Sequence, residues 1–389
     1  MKSLIPLPCK PQLSIATLAC FLVLALYTPT ALATANEAPE PNKPAFAQVR
    51  LATFAEPWAM TILPDGRFLI TEKAGQLYLY DEKSQKKTAV ANVPRVDYGG
   101  QGGLGDVLLA PDFEQSRSLY LSYVEAGAKD SRGAKVIRAT LDESTATPRL
   151  SNLSDIWTQT PKVTGRGHYS HRLLLSPDKQ FLFISSGDRQ KFDPAQDMRG
   201  NLGKIIRLHL DGSIPKDNPF ADQPAPANQV WSLGHRNVLG MQFDRRGTLW
   251  AHEMGPRGGD ELNVIRPGKN YGWPIVSNGI HYDGRDIPDH NTRPEFTPPE
   301  ITWTPVISPS SMSIYSGNVF PAWQGKGLFS GLSSKALVVV DFGEDTRTPR
   351  ELYRYELGTR IRNVTTSKDG QVYLLEDGKG ASFWRLDPK

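Results

Sequence analysis

Short runs of apolar, β-branched and aromatic residues alternate along the chain with compact polar turns, and one phrase recurs six times. A turn built from Asp, Gly, Pro or Lys feeds an alternating β run at residues 63–70, 111–122, 176–184, 244–250, 323–329 and 368–375. Each occurrence predicts a hairpin turn leading into a strand. The phrases stand about 45 to 80 residues apart, wider than the ~40–50 of regular propeller repeats, so long loops must be inserted between strands. Amphipathic helical periods are nearly absent, and 34 Gly with 31 Pro punctuate the whole length. The pattern predicts an all-β fold. Six copies of one strand–turn unit favour a six-bladed β-propeller over a sandwich, whose strands do not repeat as units. In a propeller, loops from different blades converge at one end of a central channel, where a ligand can bind.

Residues 1–35 read as a signal peptide and are set apart from the fold. Lys2 and Lys10 form a basic head, and residues 13–27 form an apolar run of about 15, short of the roughly 20 that a membrane helix needs. Small residues at 31, 33 and 35 place cleavage after Ala33 or Ala35. Residues 36–43 read as a flexible lead-in rich in Ala, Pro and Glu, and residues 44–389 as the propeller domain. Both cysteines, Cys9 and Cys20, fall in the signal, so the mature chain needs no disulfide framework, which suits a bacterial periplasm. Net charge is +4 with both signs interspersed. Nothing in that balance points to nucleic acid or an anionic membrane, and no membrane span is expected in the mature chain.

The densest chemistry lies in Gly234-His-Arg-Asn237 followed by Glu253-Met-Gly-Pro-Arg-Gly-Gly-Asp-Glu-Leu-Asn263. Fixed guanidinium groups suit an anion with planar carboxylates, while nearby carbonyls and carboxylates suit a hard cation such as Ca²⁺. His168, in a Gly-rich turn, is expected to be exposed on a loop and able to take a proton from a substrate hydroxyl. Arg172 follows four residues later, and His171 competes with His168 on these grounds. Residues 98–105 are Gly-rich but lack the Lys-Ser/Thr of a phosphate loop, so the glycines are read as thinning the loop until Gln101 projects into a pocket. Arg360 and Arg362 alternate on one strand and point the same way. Turned to the channel they would clamp an anion; on an outer blade they would be solvated charges. Asn270-Tyr-Gly-Trp-Pro274 is a compact aromatic turn placed to support the acidic pair Asp260-Glu261.

Taken in order, these pieces resemble the soluble, pyrroloquinoline quinone (PQQ)-dependent aldose sugar dehydrogenases of the glucose/sorbosone dehydrogenase family. The resemblance runs over nearly all the mature chain. It includes Gly-Gln-Gly-Gly-Leu at 100–104, His168 with Arg172, Gly-His-Arg-Asn at 234–237, the 253–263 segment, Lys-Asn-Tyr-Gly-Trp-Pro at 269–274, Ser-Pro-Ser at 308–310 and Arg-Ile-Arg-Asn-Val at 360–364. What the resemblance implies is a six-bladed propeller with PQQ across one end of the channel and His168 as general base on the anomeric hydroxyl of an aldose. Arg236 resembles the residue that polarises the quinone oxygens, and Gln101 one beside the substrate. Asn237, Tyr282, Arg360 and Arg362 resemble cofactor contacts. Gly255 and Pro256 resemble the turn whose carbonyls bind a PQQ-linked Ca²⁺, and Glu261 and Tyr271 a second calcium site. Four positions depart from the family pattern. Met254 replaces a polar residue before Gly-Pro, and Val306 replaces a Thr. The expected cofactor lysine shifts to Lys335 or gives way to Ser333, and Gly167 replaces an Asp. The implied function is a periplasmic oxidation of aldoses to lactones, with an unidentified electron acceptor and a monomer or homodimer as the working unit. Two rivals are a calcium-dependent propeller hydrolase of lactonase type and a propeller that binds sugar or protein without turnover.

Overall fold

The computed structural model describes residues 46–343 and 348–389; the expected signal peptide and lead-in lie outside them. The described chain forms six four-stranded antiparallel sheets. The innermost strands of blades one to six are Pro57–Ile62, Leu104–Leu109, Ser170–Leu175, Val238–Phe243, Pro309–Ile314 and Ile361–Thr366. Each packs against the innermost strands of its two neighbours around a common axis. This is the expected six-bladed β-propeller. Among the described residues no helix is long and apolar enough to cross a membrane.

Every one of the six recurring phrases is the turn between the innermost and second strands of a blade. The hydrogen bonds repeat from blade to blade: Leu63 N–H donates to Arg67 O at 2.7 Å, Ser176 to Phe181 at 2.9 Å, Asp244 to Thr248 at 2.9 Å and Ser367 to Gln371 at 2.9 Å. Gly66, Gly247 and Gly370 adopt φ of 89°, 81° and 96° at the same position of this turn, where a side chain would be strained. Blade three puts Lys179 there, at φ 59°. In blade two the turn carries an extra helical turn, Phe113–Ser116.

The expected alternation fails for the second strands, while outer strands such as Lys86–Val90 and Arg149–Thr158 are largely exposed. Phe68–Glu72, Leu249–Glu253 and Gly327–Gly331 are buried at every position, because a second strand is covered on both faces by adjacent blades. The core is accordingly a set of clusters between blades. One joins Leu69 and Leu79 of the first blade to Leu104, Leu121 and Ile137 of the second. The ring closes where Phe46–Phe54 pairs antiparallel with Ala381–Pro388 as the outer strand of blade six. Phe46 anchors that strand edge-on to Phe320, Trp323 and Tyr355, with ring centroids 6.4, 5.8 and 5.3 Å away.

Candidate functional site

An antiparallel hairpin puts its turn at the end of its first strand, so the six recurring turns all lie at one end of the channel. The segments leading into the innermost strands gather at the other end, together with the turns that follow the second strands. There they enclose a cavity of about 320 Å³. Of the residues expected from sequence, Gln101, Asn237, Arg360 and Arg362 line it, and so does Met254. Trp58, Lys73, Leu239, Ser308, Leu332 and Asp377 complete much of the wall.

His168 is buried, not exposed on a loop as its Gly-rich surroundings suggested; only 6 % of its surface is accessible. The loop folds inward because Gln101 Oε1 accepts the His168 backbone N–H at 2.7 Å and Asp188 takes the ring. His168 Nδ1 lies 2.7 Å from Asp188 Oδ1. With Nδ1–H donated to that carboxylate, Nε2 is the acceptor nitrogen. Burial lowers the His168 pKa, the Asp188 hydrogen bond raises it, and the Arg236 charge lowers it again; the balance is below the ordinary imidazole value. Burial alone would raise Asp188, but the hydrogen bond and charge of His168, with the Arg236 charge, hold its carboxyl below the usual range. Trp273 Nε1–H donates to the second Asp188 oxygen at 2.8 Å.

His171 lines the cavity and His168 does not, yet His171 is placed to pack rather than to react. Its ring stacks on Trp58 at 4.9 Å and 8°, its Nδ1 lies 2.8 Å from Ser122 Oγ, and burial drives its pKa down to about 3. Among the described residues no carboxylate orients it.

Arg236 projects beside this dyad. Its Nη1 donates to Met254 O at 2.9 Å and its Nη2 to the Tyr282 hydroxyl at 3.3 Å, and its guanidinium lies 5.2 Å from the Trp273 ring. Arg236 Nε is buried with no hydrogen-bond partner among the described residues, an orphan donor that an anionic ligand would satisfy. Asn237 Oδ1 accepts from Ser170 Oγ at 3.0 Å. The loop carrying both residues is organised by Glu253. One of its carboxylate oxygens accepts the Arg236 N–H at 2.6 Å, and the other lies 2.9 Å from His235 Nδ1. Arg360 and Arg362 do point the same way: both donate to Asp377, each through Nε at 2.8 Å. Arg362 also reaches Ser310 Oγ at 3.1 Å. Gln101 sits on a loop thinned as expected; a Cβ on Gly103 would collide with the Lys73 carbonyl.

Other expected positions lie off the cavity wall. Tyr282 is 72 % exposed and meets the site through Arg236. Val306 and Lys335 do not line the cavity; Ser308 and Leu332 stand there instead. Lys335 is exposed on its turn at φ 51°, and Val306 O accepts from Ser333 Oγ at 3.0 Å. Gly255 and Pro256 form the turn after Met254, held by Asp260, whose Oδ1 accepts the Gly255 N–H at 2.8 Å. Glu261 lies deeper, where Asn263 bridges it to Glu253 at 3.1 and 3.5 Å. Burial first, and then the Glu253 charge, push Glu261 well above the carboxylate range. The Tyr271 hydroxyl is committed, donating to Val264 O at 2.6 Å and accepting from Arg266 N at 2.9 Å. Any ligand atom from Tyr271 is therefore its carbonyl, which already faces His290 Nε2 at 3.1 Å. Asp188 and Asp377, each just after a second strand, were not anticipated, and nothing local in sequence marks them beyond an acid at a strand end; Glu253, the last residue of such a strand, stood in the segment singled out from sequence, but its part in organising the Arg236–Asn237 loop was not read.

Comparison with known proteins accords with this geometry. The family model described as glucose/sorbosone dehydrogenase matches residues 54–385. The aldose sugar dehydrogenase YliI of Escherichia coli is 36% identical over 339 residues, covering 86% of this chain and 90% of that protein. The crystal structure of the soluble aldose sugar dehydrogenase of Escherichia coli, in its apo form, superposes with a TM-score of 0.82 at 34% identity, over 88% of this chain and 100% of the other. The PQQ-bound form of an aldose sugar dehydrogenase from Streptomyces coelicolor superposes with a TM-score of 0.71 at 26% identity, over 89% of this chain and 99% of that one. A six-bladed ring, a His–Asp dyad and an arginine-walled cavity thus coincide with a match across the whole domain, and the chain belongs to the glucose/sorbosone dehydrogenase family.

Proposed function

We propose that this protein is an exported quinoprotein that oxidises the C1 hydroxyl of aldose sugars to the lactone. The observation that carries the reading is the His168–Asp188 dyad with Arg236, tied through Gln101 and Met254 to a cavity walled by Arg360 and Arg362. The residues present fit PQQ, a flat molecule with several carboxylates. Arg360 and Arg362 are preset by Asp377, Arg236 has an unused donor, and Asn237 and Gln101 add neutral polar groups. When bound, PQQ with its Ca²⁺ supplies a two-electron acceptor and a Lewis acid. The Gly255–Pro256 turn would offer backbone oxygens to that ion. Glu261, joined to Glu253 through Asn263, would hold a second cation in blade four.

The protein's own part is orientation, charge and one proton. Asp188 holds His168 in the tautomer with Nδ1 protonated, so Nε2 receives the proton of the sugar's C1 hydroxyl as hydride leaves C1. Asp188 then steadies the imidazolium. Arg236 stabilises negative charge developing on the acceptor. A lactonase-type hydrolase needs carboxylates converging on the channel metal, and among the described residues no group of three or more His, Cys, Asp or Glu is so arranged. The dehydrogenase reading is tested by reconstituting the protein with PQQ and Ca²⁺ and measuring aldose-dependent reduction of an artificial acceptor. His168→Ala is expected to lower turnover roughly 10²- to 10⁴-fold with PQQ affinity retained. A larger loss in His171→Ala than in His168→Ala would move the base to the wrong histidine and defeat the assignment.

A further inference from the structure

Arg172 has no part in the chemistry above, yet its guanidinium reaches across the propeller axis. It is 5 % exposed, and it spends each of its three nitrogens on a different blade. Nε donates to Leu239 O of blade four at 2.8 Å, and Nη2 to Ser310 O of blade five at 2.8 Å. Nη1 lies 3.4 Å from Asp106 Oδ1 of blade two. The guanidinium carbon sits 3.8 Å from the ring centroid of Trp58 in blade one. Blade six joins at one remove, since Ser310 Oγ accepts from Arg362 Nη1 at 3.1 Å. Arg172's own backbone N–H is taken by Ser185 Oγ of blade three at 2.9 Å.

The location matters as much as the connections. Trp58, Leu239 and Arg362 line the upper cavity, whereas Arg172 and Asp106 line a second axial cavity of about 330 Å³; Leu239 belongs to both. Arg172 therefore lies at the partition between them, among the strand ends that carry the site. Only a planar fork with a stackable face can reach three acceptors on separate strands while covering an indole; a lysine ammonium cannot.

We propose that Arg172 is a positioning residue: one buried guanidinium that locks the inner strands of the blades in register beneath the cavity and so sets the spacing of His168, Asn237 and Arg362. The proposal rests on the aldose-oxidising reading for its kinetic consequence but not for its structural one. Misplacement of about 1 Å by a residue remote from the chemistry lowers turnover roughly 100-fold. Arg172→Lys is accordingly expected to keep the fold and lose roughly that factor in kcat, with KM for the aldose changed far less.

The test begins with cofactor-free protein, by hydrogen exchange. In Arg172→Lys, amide exchange should accelerate at residues 236–239, 308–311 and 360–363 and stay unchanged in the outer strands, such as Phe46–Phe54. Arg172→Ala, when folded, should regain at least part of its turnover on adding guanidinium ion, which a purely global defect would not. Exchange and kcat both at wild-type level in Arg172→Lys would overturn the proposal, as would exchange raised uniformly through all six blades. Failure of the wild-type protein to oxidise aldoses with PQQ and Ca²⁺ would sink the functional reading instead, and the exchange pattern would still decide the role of Arg172.

Discussion

His168 can act as a base only while its ring is neutral, and its surroundings are arranged to keep it so. Burial and the Arg236 charge outweigh the support from Asp188, so the pKa falls below the ordinary 6.5. The acid limb of kcat/KM should therefore lie below pH 6.5, with the rate rising as pH climbs through the lowered pKa. Asp188→Asn removes the influence that raises that pKa and frees the other tautomer. The limb should move to still lower pH while the plateau falls roughly 10²- to 10⁴-fold; a limb that moved to higher pH would contradict the dyad. The residue type and place of His168 were legible in the sequence, but its burial was not. Gly-rich flanks look alike on an exposed loop and on one drawn inward, and the groups that draw this one in, Gln101, Asp188 and Trp273, stand far off along the chain.

At the level of the element, the six hairpin turns were readable because each is a local device: a polar turn closed by its own backbone, then a strand. What those turns could not reveal is that they lie at the opposite end of the channel from the chemistry. The working groups sit in segments leading into innermost strands and in turns after second strands, whose partners come from neighbouring blades. Arg360 and Arg362 illustrate this. Their shared direction follows from strand alternation, but that it faces the channel is decided by Asp377 and Ser310. The two should not be equal. The Arg362 side chain is 13% exposed and Arg360 47%, so solvent screens Arg360 more. Arg362→Ala is expected to weaken PQQ binding roughly 10- to 100-fold, equivalent to about 1.5–3 kcal/mol, and Arg360→Ala to weaken it less. Fluorescence titration with PQQ measures both: equal losses would contradict the ranking, and unchanged affinity in both would remove the clamp. Lys335, expected at the cofactor, stands off the wall because its turn projects outward in blade five, a matter of loop length that spacing alone does not settle.

The whole molecule depends on closing a ring from both ends of the domain. The strand Phe46–Phe54 completes blade six, and Phe46 fills a pocket made by aromatic residues of blade five. Phe46→Ala should cost about 3–5 kcal/mol in urea unfolding, with kcat of the folded fraction close to wild type. A loss of turnover without a loss of stability would mean that the ring's closure and its active end are coupled more directly than packing implies. Closure in turn holds the arginines, the dyad and the Gly255–Pro256 turn at one end of one channel, and the central claim is that this end is a quinone site for aldose oxidation. The most direct test is the absorption spectrum of the protein after PQQ and Ca²⁺ are added, followed by an aldose. A shift from the oxidised to the reduced quinone spectrum is expected on adding the sugar, abolished by prior chelation of Ca²⁺ and strongly slowed in His168→Ala. PQQ that binds but stays oxidised in the presence of aldoses, or that does not bind at all, would contradict it.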